Sequence, residues 1–352
     1  MDAAQVIWPL DPGWLNIDPF LVSELFPELH PWPERELLRD AVAALAQREV
    51  LLGTSSWKYP GWCGQLYDPA RYSWRGKFSE SRFNRQCLTE YAEVFKTVCV
   101  DGGYYQFPSE SYLNGLVDQV PDDFRFSFKV TEDITVKKFT HLPRYGEKAG
   151  RENPHFLNAD LFRTAFLDPC KAFQRNIGLL MFEFSHFYKT DFERGRDFVE
   201  RLDDFFGQLP AGWQYGVEIR NERFLHPDYF ACLERHGITH VYNSWQRMPS
   251  VREQMALPGS RTQPDFAGAR FLLKPGRPYA EAVERFSPYS ETREVDADAR
   301  VAGAELIQTL AESSRRPSFL FVNNRLEGNA INTIIGMMKA AGFLPADSFT
   351  GL

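Results

Sequence analysis

The stretch Phe124-Arg-Phe-Ser-Phe-Lys-Val130 alternates large apolar and polar residues without a break, the two-residue period of a β-strand. Phe124, Phe126, Phe128 and Val130 share one face, and Arg125, Ser127 and Lys129 share the other. Such a strand packs one side on helices and turns the other toward something polar. Seven further apolar runs stop as abruptly at polar residues: VLLGTSSW (50–57), TVCVDGGYY (97–105), GLLMFEF (178–184), YGVEIRN (215–221), THVYNSW (239–245), ARFLLKPG (269–276) and SFLFVNN (318–324). Most neighbouring runs are separated by a stretch that reads as a helix. The alternation predicts a single TIM-like (β/α) barrel of about eight parallel strands, whose strand ends build the active site.

A length of 352 residues suits such a barrel with an extra arm, and 43% hydrophobic content supplies a large core. No stretch reaches the ~18 uninterrupted apolar residues of a membrane helix, and the opening MDAAQVIWPLDPGW lacks the features of a secretory signal. A soluble, cytoplasmic protein is expected, with no membrane partner. The five cysteines are scattered and contain no C-x-x-C pair, which argues against a disulfide framework and a zinc knuckle; no cofactor and no metal are expected. A net charge of −7 gives no general attraction to nucleic acid, although Lys137, Lys138, Arg144, Lys148 and Arg151 gather in one segment.

Residues 1–49 read as an N-terminal arm, rich in Trp and Pro up to residue 32, followed by a helix that Pro33 opens; residues 50–345 read as the barrel. Ser79 opens the helix after the first strand, Ser109 caps the next, and Asp191 is the expected cap of the helix FERGRDFVERLDDFF. Pro227 and Gly237 bracket another. The seventh strand is placed at Arg270–Lys274, with a long loop, Pro275–Val295, behind it. The connection from Thr131 to Asn158 is long enough to be a functional lid.

Sorting each strand by parity leaves Asp101, Lys129, Glu183, Glu218, Arg220, Lys274 and Asn323 as the last inward residues. Three carboxylates thus meet three cations at one barrel mouth. Buried charges persist only when paired or liganded, so a near-neutral ring suits a small polar or anionic ligand.

Four motifs occur in order: GTSSWKYPGWCGQLY (53–67), VDGGYYQFPSE (100–110) with PDDFRFSFKV (121–130), YGVEIRN (215–221) and FVNNRLEGNA (321–330). Together they resemble the YecE-like family, also called domain of unknown function 72, over about residues 50–340. The resemblance implies an α/β barrel and leaves the reaction open. This chain departs from the family pattern at Ser56, at FEFSH (182–186), where Glu183 replaces a glutamine, and at LLKPG (272–276).

The expected chemistry is acid–base conversion of a phosphorylated or carboxylated ligand, of hydrolase, lyase or isomerase type. Glu218 and Glu183 would serve as base and acid, and Lys129, Arg220 or Lys274 would stabilise an oxyanion. Asn323, Asn324 and Gly328 lead into a helix N-terminus and are candidate phosphate ligands. Trp57, Tyr59 and Tyr105 are candidate stacking platforms, whereas Trp62 is expected to roof the barrel. Two alternatives are a non-catalytic module for nucleic acid or another anion, contacted through Lys137–Arg151, and a metal-dependent endonuclease- or isomerase-like barrel using Asp101, Glu183, His186 and Glu218. Oligomeric state is not legible in the sequence.

Overall fold

The computed structural model describes residues 34–349, so the expected arm over residues 1–32 lies outside the described residues. Helix α1 (Arg35–Ala46) buries Leu38, Val42 and Leu45, one apolar stripe at helical spacing, and precedes the first strand as expected. Eight parallel strands then close a barrel: β1 (Val50–Thr54), β2 (Thr97–Val100), β3 (Arg125–Lys129), β4 (Ile177–Phe184), β5 (Gln214–Ile219), β6 (Thr239–Asn243), β7 (Gly268–Phe271) and β8 (Ser318–Val322). Each strand pairs with the next in sequence, and closure is made by β8 on β1 and by Gly53 and Thr54 of β1 against Thr97 and Val98 of β2.

Parity sorts the barrel as the alternation predicted. Leu51, Cys99, Leu179, Met181, Val241, Phe319 and Phe321 fill the interior with Phe266, forming a core separate from the helix-facing one that holds Phe124, Phe126 and Phe128. Trp62 is fully buried and stacks on Tyr67, as a roofing residue should.

Three expectations change in detail. The seventh strand begins two residues earlier than expected, at Gly268, and ends at Phe271. Gly268 belongs to it because it pairs with Phe319 of β8 and Val241 of β6, and its lack of a Cβ leaves room for Leu179, whose Cδ2 would otherwise stand 2.7 Å away. Asp191 does not cap a helix: its carboxylate accepts from the Tyr188 amide at 2.6 Å, and the helix starts later, at Gly195–Phe206, with Asp197 bonding the Arg194 amide. The Pro275–Val295 loop carries a helix, Tyr279–Phe286, that the sequence reading missed.

The expected lid between β3 and β4 has structure of its own. A bridge between Lys138 and Glu152, with Phe139 and Arg151 bonded through their backbones at 3.0 Å, makes it a short hairpin closed over Val136, Phe139 and Tyr145. Among the described residues no helix is long and apolar enough to cross a membrane.

Candidate functional site

The strand ends converge as parity predicted, with one substitution of residue. Lys129 closes β3, Glu183 sits near the end of β4, and Glu218 and Arg220 end β5, each brought inward by the two-residue period. The seventh strand contributes Arg270 in place of Lys274. Lys274 lies beyond the end of β7, half exposed, and pairs with Glu294 at 3.1 Å, away from the mouth. The earlier strand start explains the shift: Arg270 shares the face expected of Lys274, two inward positions deeper along the strand. Parity pointed to it; only the strand boundary hid it.

These side chains form one closed network. Glu183 Oε2 accepts from Arg220 at 2.7 Å, Lys129 at 3.0 Å and Arg270 at 3.1 Å. Glu218 is sealed by Arg270 at 2.5 Å and Arg220 at 2.9 Å, and Asp101 pairs with Lys129 at 3.0 Å. Burial pushes the Glu183 carboxyl upward, but Arg220, Lys129 and Arg270 together overcome it and hold it at about 2. Lys129 is subject to the opposite balance: burial favours its neutral form, yet Asp101 and Glu183 keep it above the usual lysine range. Glu183 therefore stays ionised and Lys129 stays protonated at neutral pH. Glu218 is fully buried behind its two arginines and does not line the cavity above, while Glu183 reaches that cavity as an ionised carboxylate already held by three cations.

Above the network opens a cavity of about 860 Å³. Its floor is Asp101, Lys129, Glu183, Arg220 and Arg270, and its walls are aromatic: Trp57, Tyr59, Tyr104, Tyr105, Trp245, Tyr279 and Tyr289. Arg220 stacks on Trp245 at 4.0 Å, which fixes its guanidinium over the floor. From the hairpin, Arg144 reaches in, stacked on Tyr105 at 5.0 Å and paired with Glu132 at 2.8 Å. A second cavity of about 440 Å³ lies under that hairpin and shares Tyr104, Arg144 and Ser185 with the first.

Of the stacking and phosphate candidates, Trp57, Tyr59, Tyr105 and Asn323 line the large cavity. Asn324 and Gly328 do not. Asn324 is buried, and its Oδ1 accepts from the Ala330 amide at 2.8 Å. Gly328 has φ +111° and lies so close to the Pro275–Val295 loop that a Cβ would stand 2.6 Å from Glu291 O. The helix N-terminus behind them is occupied from within: Asn329 caps the Asn332 amide at 3.0 Å, and buried Glu327 accepts from Thr333 at 2.8 Å and Arg300 at 2.7 Å. The protein's own carboxylate stands where a phosphate was expected.

In their place the same loop supplies Arg325, which the sequence reading passed over. It lies against Tyr279 at 4.7 Å and Tyr289 at 5.9 Å, and its Nη1 donates to Asn323 Oδ1 at 3.4 Å. Among the described residues its buried Nε–H has no acceptor, and no carboxylate comes within 4.0 Å of its guanidinium. The expected metal set is not brought together either. His186 turns to Asn221 at 3.1 Å and lines the smaller cavity, while cations already cover the carboxylates of Asp101, Glu183 and Glu218.

This geometry has relatives. Residues 51–347 match the family model described as "Protein of unknown function DUF72". The chain belongs to the DUF72 family. Two solved members share its fold. A DUF72 family protein from Enterococcus faecalis V583 is 16% identical, with a TM-score of 0.56 over 83% of this chain and 95% of that one. A DUF72 family protein from Thermotoga maritima MSB8 is 18% identical, with a TM-score of 0.52 over 83% and 98%. No curated protein matches the chain. The four motifs that suggested this family thus lie on β1, β2–β3, β5 and β8, the strands that frame the mouth.

Proposed function

We propose that this DUF72 protein binds a small anionic ligand bearing a planar or sugar ring in the barrel mouth, with Arg325 taking the anionic group. Arg325 carries the reading. A cation without a carboxylate partner in a partly buried position is costly, and among the described residues its buried Nε–H has no acceptor. The surrounding rings of Tyr59, Tyr279 and Tyr289 supply apolar area for the remainder of such a ligand. A cavity of about 860 Å³ lies within the range of small-molecule and cofactor sites.

The floor network acts as a rigid, nearly neutral scaffold that orients Lys129 and Arg220. The depressed carboxyl of Glu183 and the closed pairing of Glu218 oppose their use as proton donor and acceptor. Ligand binding, with electrostatic stabilisation by Lys129 and Arg220 where a reaction follows, fits these side chains better than acid–base catalysis by the two glutamates.

The nucleic-acid reading has less support. Three of the five hairpin cations are balanced by acids: Lys137 by Glu152, Arg144 by Glu132 and Lys148 by Asp133.

Thermal-shift and calorimetric titrations with inorganic phosphate, a nucleoside monophosphate and a sugar phosphate test the proposal. Arg325→Ala should weaken whichever of these probes binds by about 1.5–3 kcal/mol, roughly 10- to 150-fold, the worth of a hydrogen bond to a charged group. Equal affinity in the variant, or no binding of any of the three probes, refutes it. Tight binding of a single-stranded oligonucleotide that falls steeply with salt would favour the alternative.

A further inference from the structure

We infer that Asp203, Cys232 and His236 form a binding site for a divalent cation of the zinc class, at the opposite end of the barrel from the mouth. Two helices build it, Gly195–Phe206 after β4 and Pro227–Arg235 after β5. Cys232 and His236 are four residues apart at the end of the second helix, a spacing that places both on one face. That face packs on the first helix, which presents Asp203. His236 immediately precedes β6, so the cluster lies where strands begin, whereas the mouth lies where they end.

The three donors are mutually close. Asp203 Oδ1 stands 2.7 Å from His236 Nε2 and 3.9 Å from Cys232 Sγ, and all three donor atoms fall within 4.8 Å of one another. Tetrahedral zinc with bonds of about 2.0–2.3 Å needs donors roughly 3.3–3.8 Å apart. Coordination therefore asks the Asp–His contact to open by less than about 1 Å, a movement within the freedom of a surface aspartate side chain. Cys232 is buried and His236 mostly so, and Asp203 is 39% exposed, which leaves an entry path and a fourth position for water.

The donor set selects the metal. Thiolate and imidazole favour zinc or cobalt over magnesium and calcium, which prefer oxygen ligands throughout. Thiolate and carboxylate also neutralise a double positive charge; the thiol proton leaves to solvent as the Cys232 Sγ–metal bond forms, and the proton that His236 Nε2 shares with Asp203 leaves that nitrogen, with Nδ1 carrying the remaining ring proton. Arg235, which now donates to Asp203 Oδ1 at 2.6 Å from a 61% exposed side chain, swings outward to release that oxygen. A bound ion would tie the two helices at their C-terminal ends.

The test is a cobalt titration of the metal-stripped full chain, followed by absorption. The expected result is a thiolate-to-cobalt charge-transfer band that saturates at one equivalent and is displaced by zinc. The band should be absent in Cys232→Ser, and affinity should fall by more than about 100-fold in His236→Gln, exceeding the loss typical of a mere supporting partner. Absence of the band in the wild type overturns the site. So does a band that survives Cys232→Ser, because the metal would then sit on another of the cysteines. Asp203→Asn, at an exposed side chain, decides the matter by the same criterion of about 100-fold if the cysteine variant does not fold.

Discussion

Replacing Arg270 with methionine removes one guanidinium and leaves Glu183 and Glu218 with less than their full complement of cations. Arg270 is 2% exposed, 2.5 Å from Glu218 and 3.1 Å from Glu183. With charge centres near 4 Å and an effective dielectric near 20, each pair contributes about 4 kcal/mol before desolvation. The buried guanidinium itself costs several kcal/mol to dehydrate, and Arg220 keeps its own bonds to both carboxylates. The net loss should therefore fall at about 3–5 kcal/mol, the range for breaking a buried pair from one side. Urea unfolding at neutral pH measures it, as a shifted midpoint at unchanged slope. The charge count supplies a second signature. Three cations (Lys129, Arg220, Arg270) now face three carboxylates (Asp101, Glu183, Glu218), and the variant leaves two facing three. Protonating one carboxylate restores balance, so the deficit should shrink as pH falls, and Arg270→Met with Glu218→Gln should recover at least half of it. A loss below about 1 kcal/mol, or a deficit that does not change with pH, would refute the view that these six groups balance one another in a water-poor interior.

Two further perturbations follow from the same structure. The Glu183 carboxyl is held at about 2 against an ordinary 4.5, so its ionised form stabilises the fold by about 3 kcal/mol above pH 4.5, and that contribution is lost as pH falls toward 2; the stability gap between wild type and Glu183→Gln, followed by unfolding titrations, should close over this window and not above it. Gly328→Ala forces a Cβ to within 2.6 Å of Glu291 O at φ +111° and should cost more than the ~1 kcal/mol expected of Gly276→Ala, where φ is +83° but nothing lies within 4 Å; equal melting temperatures for the two would mean that the close approach is easily relieved.

The structure also separates two kinds of site residue. Asp101, Lys129, Glu183, Glu218 and Arg220 were legible because a strand's parity is a local property, set by where each Cβ must point. Lys274 was misplaced because a strand's end is not local: Gly268 belongs to β7 because it pairs with Val241 of β6 and Phe319 of β8, residues remote in sequence. Asn324 and Gly328 followed a motif expectation, and their helix terminus is instead filled by Glu327 and Arg300, far apart from one another along the chain. Arg325 gave no periodic signal at all, since it lies in a loop. What marks it is the absence of a nearby carboxylate among the described residues, which appears only once every acidic side chain has a position.

By itself, then, the chain's pattern of apolar runs, polar stops and motifs determined the barrel, its strand order and its family, because hydrophobic alternation and short-range chain geometry are written residue by residue. Which charges neutralise one another, which cation among the described residues is left without a carboxylate, and which two helices bring a cysteine, a histidine and an aspartate together were decided by tertiary structure. Those outcomes depend on distances between residues remote in sequence and on the loss of water around them, and no local pattern encodes either.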